Sequence, residues 1–330
     1  MDYLITYKRN AAHAPVYGYA PISDINLRET FECGQCFRWR ALGSEDASEA
    51  DEAGGAKKSD GAQARATESY IGIARGHIAR IDYDKKEKHL HITELGANTN
   101  KTDATELWPA YLDLNRDYAA IKRKLSRGDD TMKTAIAAGK GIRILKQDLW
   151  ETIISFIISQ NNNIPRIKGC IEKLAALYGE PIELAGTEKN KAEEIAILDE
   201  VGLTPNELPT SKVLAGLKEE DLAPVRLGYR ARYLIETAKA VEEDCLPETF
   251  DDLNKLCGVG PKVANCIGLF GLGKMDSFPI DVWVRRVMSR MYKFDECDVK
   301  GMQAFAEAKF GDLGGFAQQY LFYYIRELEG

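Results

Sequence analysis

The chain has 330 residues, 45% of them apolar and 29% charged, which suits about two folded domains and excludes a disordered or fibrous chain. No apolar run reaches the ~18 residues needed to cross a membrane, and Met1-Asp2-Tyr3-Leu4 lacks the basic start of a secretory signal, so an intracellular protein is expected. The net charge of −7 would argue against a polyanionic partner only if the charge were spread evenly.

The first hundred residues read as strands. Residues 69–75 and 77–83 are β-rich, apolar-alternating runs separated by Gly76, and 89–92 follows a charged turn. Residues 43–68 hold seven acids and three bases among Ala, Gly and Ser, with almost nothing to bury. They are expected to form a disordered loop inserted between two strands. From about Leu107 the pattern turns helical. Between Lys122 and Arg143 the balance reverses, with seven bases (Lys122, Arg123, Lys124, Arg127, Lys133, Lys140 and Arg143) against Asp129 and Asp130. Basic surface can therefore exist on this acidic chain, although the run taken alone reads as a solvated helix face. Residues 150–159 are apolar nearly all round and predict a buried helix. It stops at Gln160-Asn161-Asn162-Asn163, whose carboxamides compete for backbone hydrogen bonds, and Pro165 suits the start of the next helix. Further helices are expected near 165–178, 190–200, 211–217, 229–243, 250–256, 261–271, 281–292, 301–309 and 315–327. The expected fold class is α+β: a small antiparallel β-sheet domain over 1–105, then a helical body over 106–330.

Seven cysteines, an odd number thinly spread, fit a reducing compartment rather than a disulfide scaffold. All four histidines lie in the first 91 residues, so any site in the remainder works without imidazole. Two motifs are set aside. Cys33-Gly34-Gln35-Cys36 has zinc-ligand spacing without a second pair at a suitable distance. Residues 268–274 match the glycine and lysine spacing of a phosphate-binding loop. Met275 stands where that loop needs Ser or Thr, and the stretch follows a helix rather than a strand. No metal or cofactor is expected.

The informative stretch is 250–291. A short helix ends in Cys257-Gly258-Val259-Gly260, and a second starts at Pro261. Gly258 and Gly260 allow positive φ and close backbone approach. The start of the second helix, through Val263, offers free N–H groups to a phosphate. Such a helix-hairpin-helix, at about 249–271, grips one DNA strand without reading sequence. An ordinary αα-hairpin fits the Gly-Val-Gly turn equally well. Lys262 lies in the first turn of the second helix, where the helix dipole opposes its charge. A lowered pKa and a nucleophilic amine are expected. Cys266 shares its helical face. Asp281 stands after Phe278-Pro279-Ile280, placed to cap the next helix. Each residue alone has a plain structural reading; hairpin, lysine and Pro-x-Asp together are far more specific.

At this point the chain resembles the helix-hairpin-helix DNA glycosylases, and among them the 8-oxoguanine DNA glycosylase/AP lyases. Four further segments, 31–39, 155–166, 227–233 and 316–322, carry the likeness in kind and order. The resemblance implies Lys262 as nucleophile and Asp281 as its carboxylate. It implies that the Gly34 carbonyl accepts the ring N–H that separates 8-oxoguanine from guanine. Cys266 and Phe322 then sandwich the extruded base, and Gln318 reads its Watson–Crick edge. Asn161, Arg166 and Arg230 contact the abandoned cytosine, and Tyr229 wedges into the gap. Close relatives often have histidine two residues after the aspartate. Trp283 stands there, which leaves open how the neighbouring phosphate is held; packing is the simplest role for its ring. The implied partner is double-stranded DNA with an oxidised purine, met by a monomer in a nucleoid or nucleus. Two rivals remain at this stage: a monofunctional alkylpurine glycosylase using Asp281 and water, and a non-catalytic DNA-binding protein.

Overall fold

The computed structural model describes residues 4–10, 14–43, 67–97 and 104–329. Six strands, β1 (Leu4–Arg9), β2 (Pro15–Ala20), β3 (Trp39–Ala41), β4 (Thr67–Ala74), β5 (His77–Asp84) and β6 (His89–Glu94), form one antiparallel sheet in the order β1-β2-β6-β5-β4-β3. The helices are α1 (Leu27–Phe31), α2 (Ala104–Tyr111), α3 (Tyr118–Ser126), α4 (Asp130–Ala138), α5 (Leu149–Ser159), α6 (Ile164–Tyr178) and α7 (Glu188–Glu200). They continue as α8 (Ser211–Ala215), α9 (Arg230–Asp244), α10 (Phe250–Lys255), α11 (Pro261–Phe270), α12 (Val282–Tyr292), α13 (Val299–Phe310) and α14 (Gly314–Glu329).

The sheet is buried on both faces. Tyr19, Ile81, Tyr83, Leu90 and Ile92 share one core with Leu27 and Phe31 of α1 and with Leu107, Trp108 and Tyr111 of α2. Ile71, Ile73, Ile78 and Leu95 face the other way and pack on Ile182, Leu184, Leu198 and Leu203. That double burial leaves consecutive residues of each strand buried, Tyr70 and Ile71 in β4 and Ile78 and Ala79 in β5. The sheet core draws on residues as far along as Leu114 and Leu145, so the two layers share residues across the 105/106 boundary. The rest of the helical body surrounds a separate core in which α5 contributes Ile153, Ile154, Phe156, Ile157 and Ile158.

Two polar clamps tie the layers together beside the future site. Arg38 donates through Nε and Nη2 to Glu172 of α6, both at 3.0 Å, and both residues are buried. Such a forked, hydrogen-bonded pair fixes geometry more firmly than it adds stability. Gln35, fully buried, donates to the carbonyls of Thr30 (2.8 Å) and Arg143 (2.7 Å) and accepts from the Leu145 N–H (2.9 Å). The turn that carries Gly34 is thus anchored to α1 and to the link between α4 and α5.

Two expectations need correction. Thr67 and Glu68, assigned to the inserted loop, open β4 instead. Glu68 Oε2 accepts from the Leu27 N–H at 2.8 Å and its Oε1 pairs with Lys85 at 2.8 Å. Residues 44–66, the rest of that segment, lie outside the described residues. The basic run of 122–143 is not one face. It is divided between α3, α4 and the loop beyond, and Arg143 is fully buried, donating to the carbonyls of Asp113 and Ser23. A guanidinium satisfies buried carbonyls from several segments at once, which charge counting along a sequence does not reveal.

Candidate active site

The hairpin forms from local rules. Thr249 caps α10 in a reciprocal box with Asp252. The chain then reverses through Gly258 at φ +77°, where a Cβ would lie 2.3 Å from the Tyr233 ring, so only glycine fits. Gly260 is the cap position of α11, and no side chain closes that helix start. A Cβ built on Gly260 meets nothing within 4 Å. The N–H groups of the first turn, Val263 among them, are thus left uncapped by any side chain, the arrangement that suits an anion.

Lys262, one turn before the buried Cys266 on α11, reaches a cavity of about 540 Å³. Its Nζ lies 5.7 Å from the centroid of the Phe156 ring of α5. Asp281 approaches from the start of α12 and has two functions: its carboxylate caps the helix, accepting from the Val284 N–H at 2.8 Å, and it lines the same cavity. Burial pushes the Asp281 carboxyl above the usual aspartate range, against the Val284 N–H and Lys262, which pull it down. Burial also pushes the Cys266 thiol up, against Lys262, which pulls it down. For Lys262 the outcome reverses the sequence expectation. Burial does pull the ammonium down, but the Cys266 sulfur and the Asp281 carboxylate outweigh it, and its pKa lies above the ordinary lysine range. Specific partners at close range override the helix dipole.

The base-side residues meet in this one cavity: Gly34, Lys262, Cys266, Asp281, Gln318 and Phe322 all line it. Gly34, at φ +79°, turns the chain against Phe322, whose ring lies 3.5 Å from where a glycine Cβ would stand. Gln318, buried on α14, accepts from Gln319 Nε2 at 2.7 Å. Trp283 lines the cavity as well, with the Arg286 guanidinium 4.8 Å from its ring, and packs against the helical core. The sequence reading passed over Phe37, Phe156, Ser159, Gln319 and Arg326, which also line the cavity. Arg326 was the findable one, since it follows Phe322 by four residues on the same helix face.

The residues expected to meet the opposite base form a second cluster at the end of α5. Asn161 adopts positive φ (+47°), a conformation that asparagine tolerates better than most residues. Arg230 is buried: Nε donates to the Gln160 carbonyl (2.8 Å), Nη1 to Leu227 (3.1 Å), and Nη2 to the carbonyls of Asn161 (2.8 Å) and Gln160. Its guanidinium lies 4.5 Å from the ring centroid of Tyr229, which is 49% exposed. Arg166 is exposed and donates to the Arg226 carbonyl at 3.2 Å. None of these four lines the base cavity; Asn162, Asn163 and Pro165, between Asn161 and Arg166 in the chain, do line it.

Comparison with known proteins gives a consistent result. Residues 19–153 match the family described as 8-oxoguanine DNA glycosylase, N-terminal domain, and residues 154–310 match the HhH-GPD superfamily of base excision DNA repair proteins. The structure is similar to that of MBOgg1 in complex with a low-affinity DNA ligand, with 37% identity, full coverage of both chains and a TM-score of 0.78. It is equally similar, at 33% identity, full coverage of both and a TM-score of 0.78, to the 8-oxoguanine glycosylase/lyase of Clostridium acetobutylicum bound to double-stranded DNA with cytosine opposite 8-oxoG. A probable N-glycosylase/DNA lyase of Methanothermobacter thermautotrophicus is 29% identical over 211 residues, 60% of this chain and 68% of the relative.

Proposed function

This chain belongs to the 8-oxoguanine DNA glycosylase family of helix-hairpin-helix repair proteins, and on that premise we propose how its own residues perform the work. The protein is a base-excision-repair DNA glycosylase with AP lyase activity. It extrudes 8-oxoguanine, preferably opposite cytosine, removes it, and nicks the strand. The observation that carries this reading is the convergence of Lys262 and Asp281 with Gly34, Cys266, Gln318 and Phe322 on one cavity. Its volume, about 540 Å³, lies within the range of small-ligand sites.

The hairpin turn at Gly258–Gly260 holds the strand by a phosphate at the open start of α11. The extruded base stacks between Cys266 and Phe322, and Gln318 reads its Watson–Crick edge. The Gly34 carbonyl accepts the N7–H that guanine lacks. A buried acceptor left facing guanine's N7 lone pair is a strong source of rejection. Lys262, once neutral, attacks C1′ through Nζ. The C1′–N9 bond breaks and its electron pair leaves with the base. Asp281 carries negative charge next to the sugar as positive charge develops there. Loss of the amine proton and ring opening give a Schiff base. Removal of a C2′ proton then expels the 3′ phosphate and breaks the strand. The abandoned cytosine is met by Asn161, Arg166 and Arg230, and Tyr229 fills the gap. Such an enzyme acts where DNA is, in a nucleoid or nucleus; among the described residues no helix is long and apolar enough to cross a membrane.

Borohydride trapping tests the reading. The protein is mixed with a duplex carrying 8-oxoguanine opposite cytosine, reduced, and examined for a covalent adduct, with Lys262→Gln as control. An adduct that the variant lacks is expected. Base release without an adduct would instead favour water as the nucleophile, the chemistry of a monofunctional glycosylase.

A further inference from the structure

Arg326 on α14 is not needed by any step above, yet it touches two elements of the base pocket that lie about three hundred residues apart. Its Nη2 donates to the carbonyl of Glu32, two residues before Gly34. Its guanidinium stands 5.5 Å from the centroid of the Phe322 ring. Its Nη1 is 3.8 Å from where a Cβ on Gly34 would be. That same Nη1 is buried and has no hydrogen-bond partner. The pairing is odd if stability is the only purpose. A leucine or methionine would cover the Phe322 ring without burying an unpaired N–H of a charged group. Groups that a stability argument leaves unexplained in this way concentrate at functional sites.

Resting on the function proposed above, we propose that Arg326 is a positioning residue for lesion recognition: it holds the Gly34 turn in register with the Phe322 ring. Gln35 anchors the turn from the sheet side through Thr30, Arg143 and Leu145. Arg326 is the matching anchor from the helical side. The turn needs two anchors because a glycine at positive φ has no side chain to lock it, and discrimination depends on where one carbonyl points. Held from both sides, the Gly34 carbonyl meets N7–H only when the base lies flat on Phe322. Released on one side, the turn can relax away from a guanine it should reject and from the lesion it should keep.

The test uses the full chain with Lys262→Gln, so that duplexes survive, and compares it with Lys262→Gln/Arg326→Leu and Lys262→Gln/Arg326→Lys. Affinity is measured for duplexes carrying 8-oxoguanine, guanine or a stable abasic analogue opposite cytosine, with thermal unfolding alongside. Arg326→Leu is expected to lower the preference for 8-oxoguanine over guanine about tenfold, the size of a lost charged hydrogen bond, while affinity for the abasic analogue, which has no base to position, holds. Arg326→Lys, which keeps a donor to the Glu32 carbonyl, is expected to recover part of the preference. An unchanged preference overturns the proposal. So does an equal fall for all three duplexes together with a lowered Tm, which would mark a purely structural arginine. A parent that does not prefer 8-oxoguanine over guanine would instead overturn the function on which this proposal rests.

Discussion

On the base side of the cavity, Lys262, Asp281, Gln318 and Phe322 surround open space before any DNA arrives. On the opposite-base side, Arg230 already donates from all three guanidinium nitrogens to the chain's own carbonyls at Leu227, Gln160 and Asn161. The first region is open; in the second, Arg230 is committed to the chain's own carbonyls, and under the proposed function it exchanges such bonds for bonds to cytosine. Under that proposal the base pocket is preformed in the free protein, while recognition of the partner strand is completed by binding. A correct duplex then drives a rearrangement that a wrong one cannot repay.

The largest effect expected from this contrast is at Lys262. Lys262→Gln should abolish both base release and strand cleavage in single-turnover assays, yet leave affinity for lesion duplex within a few fold, because the recognition groups are untouched. An undiminished rate of base release would break the contrast at its foundation. Asp281→Asn comes next. Asparagine is as good a helix cap as aspartate, so the Val284 N–H stays satisfied and Tm should hold. The negative charge beside the sugar is gone, and base release should fall at least ~10²-fold. Asp281→Ala adds the loss of the cap, about 1 kcal/mol of stability. A near-wild-type rate for Asp281→Asn would reduce the residue to its capping role.

The pH dependence sharpens the same point. Only the neutral amine attacks, and Lys262 is held above the ordinary lysine range. Base release should therefore rise with pH across the neutral and mildly alkaline range, by about tenfold per unit where proton loss limits the rate. Asp281 is also shifted upward, so acid protonates it sooner than an ordinary aspartate and lowers the rate further. Both slopes have the same sign. A rate–pH profile that is flat between mildly acidic and mildly alkaline conditions would mean that Lys262 loses its proton only within the DNA complex.

How far the sequence revealed this arrangement differs between the two regions. Helices α5, α6, α10, α11 and α12 were legible because each has a punctuating signal: carboxamides at 160–163, Pro165, Thr249, Pro261 and Asp281. Lys262 and Cys266 were legible as a face because four residues make about one turn. The sheet was legible in part. Strands β4, β5 and β6 were legible as runs at 69–75, 77–83 and 89–92, to within two residues at each end. Strand β3 has only three residues, too few to show a period. The sign of the Lys262 shift was not legible, since it depends on how far Cys266 on the same face, and Asp281 nineteen residues away, outweigh burial. The commitment of Arg230 to carbonyls was equally hidden: a local pattern says that an arginine is present, not which acceptors surround it.

The smallest effects belong to the second region, and they separate its two arginines. Arg230 satisfies carbonyls of three residues, so Arg230→Ala should lower stability by about 2 kcal/mol as well as weaken the preference for cytosine. Arg166 is exposed and makes one bond at 3.2 Å, so Arg166→Ala should change stability by less than about 0.5 kcal/mol. Its effect should appear only when excision opposite cytosine is compared with excision opposite adenine, where the ratio narrows by a few fold and the rate on preformed abasic sites holds. If Arg166→Ala destabilises the protein as much as Arg230→Ala, the exposed arginine is also part of the closed cluster, and the whole rim must open before cytosine is read. If neither variant changes the opposite-base ratio, the rim is scaffold alone and the preference is set by the base pocket, which would remove the division between a prepared and a completed side.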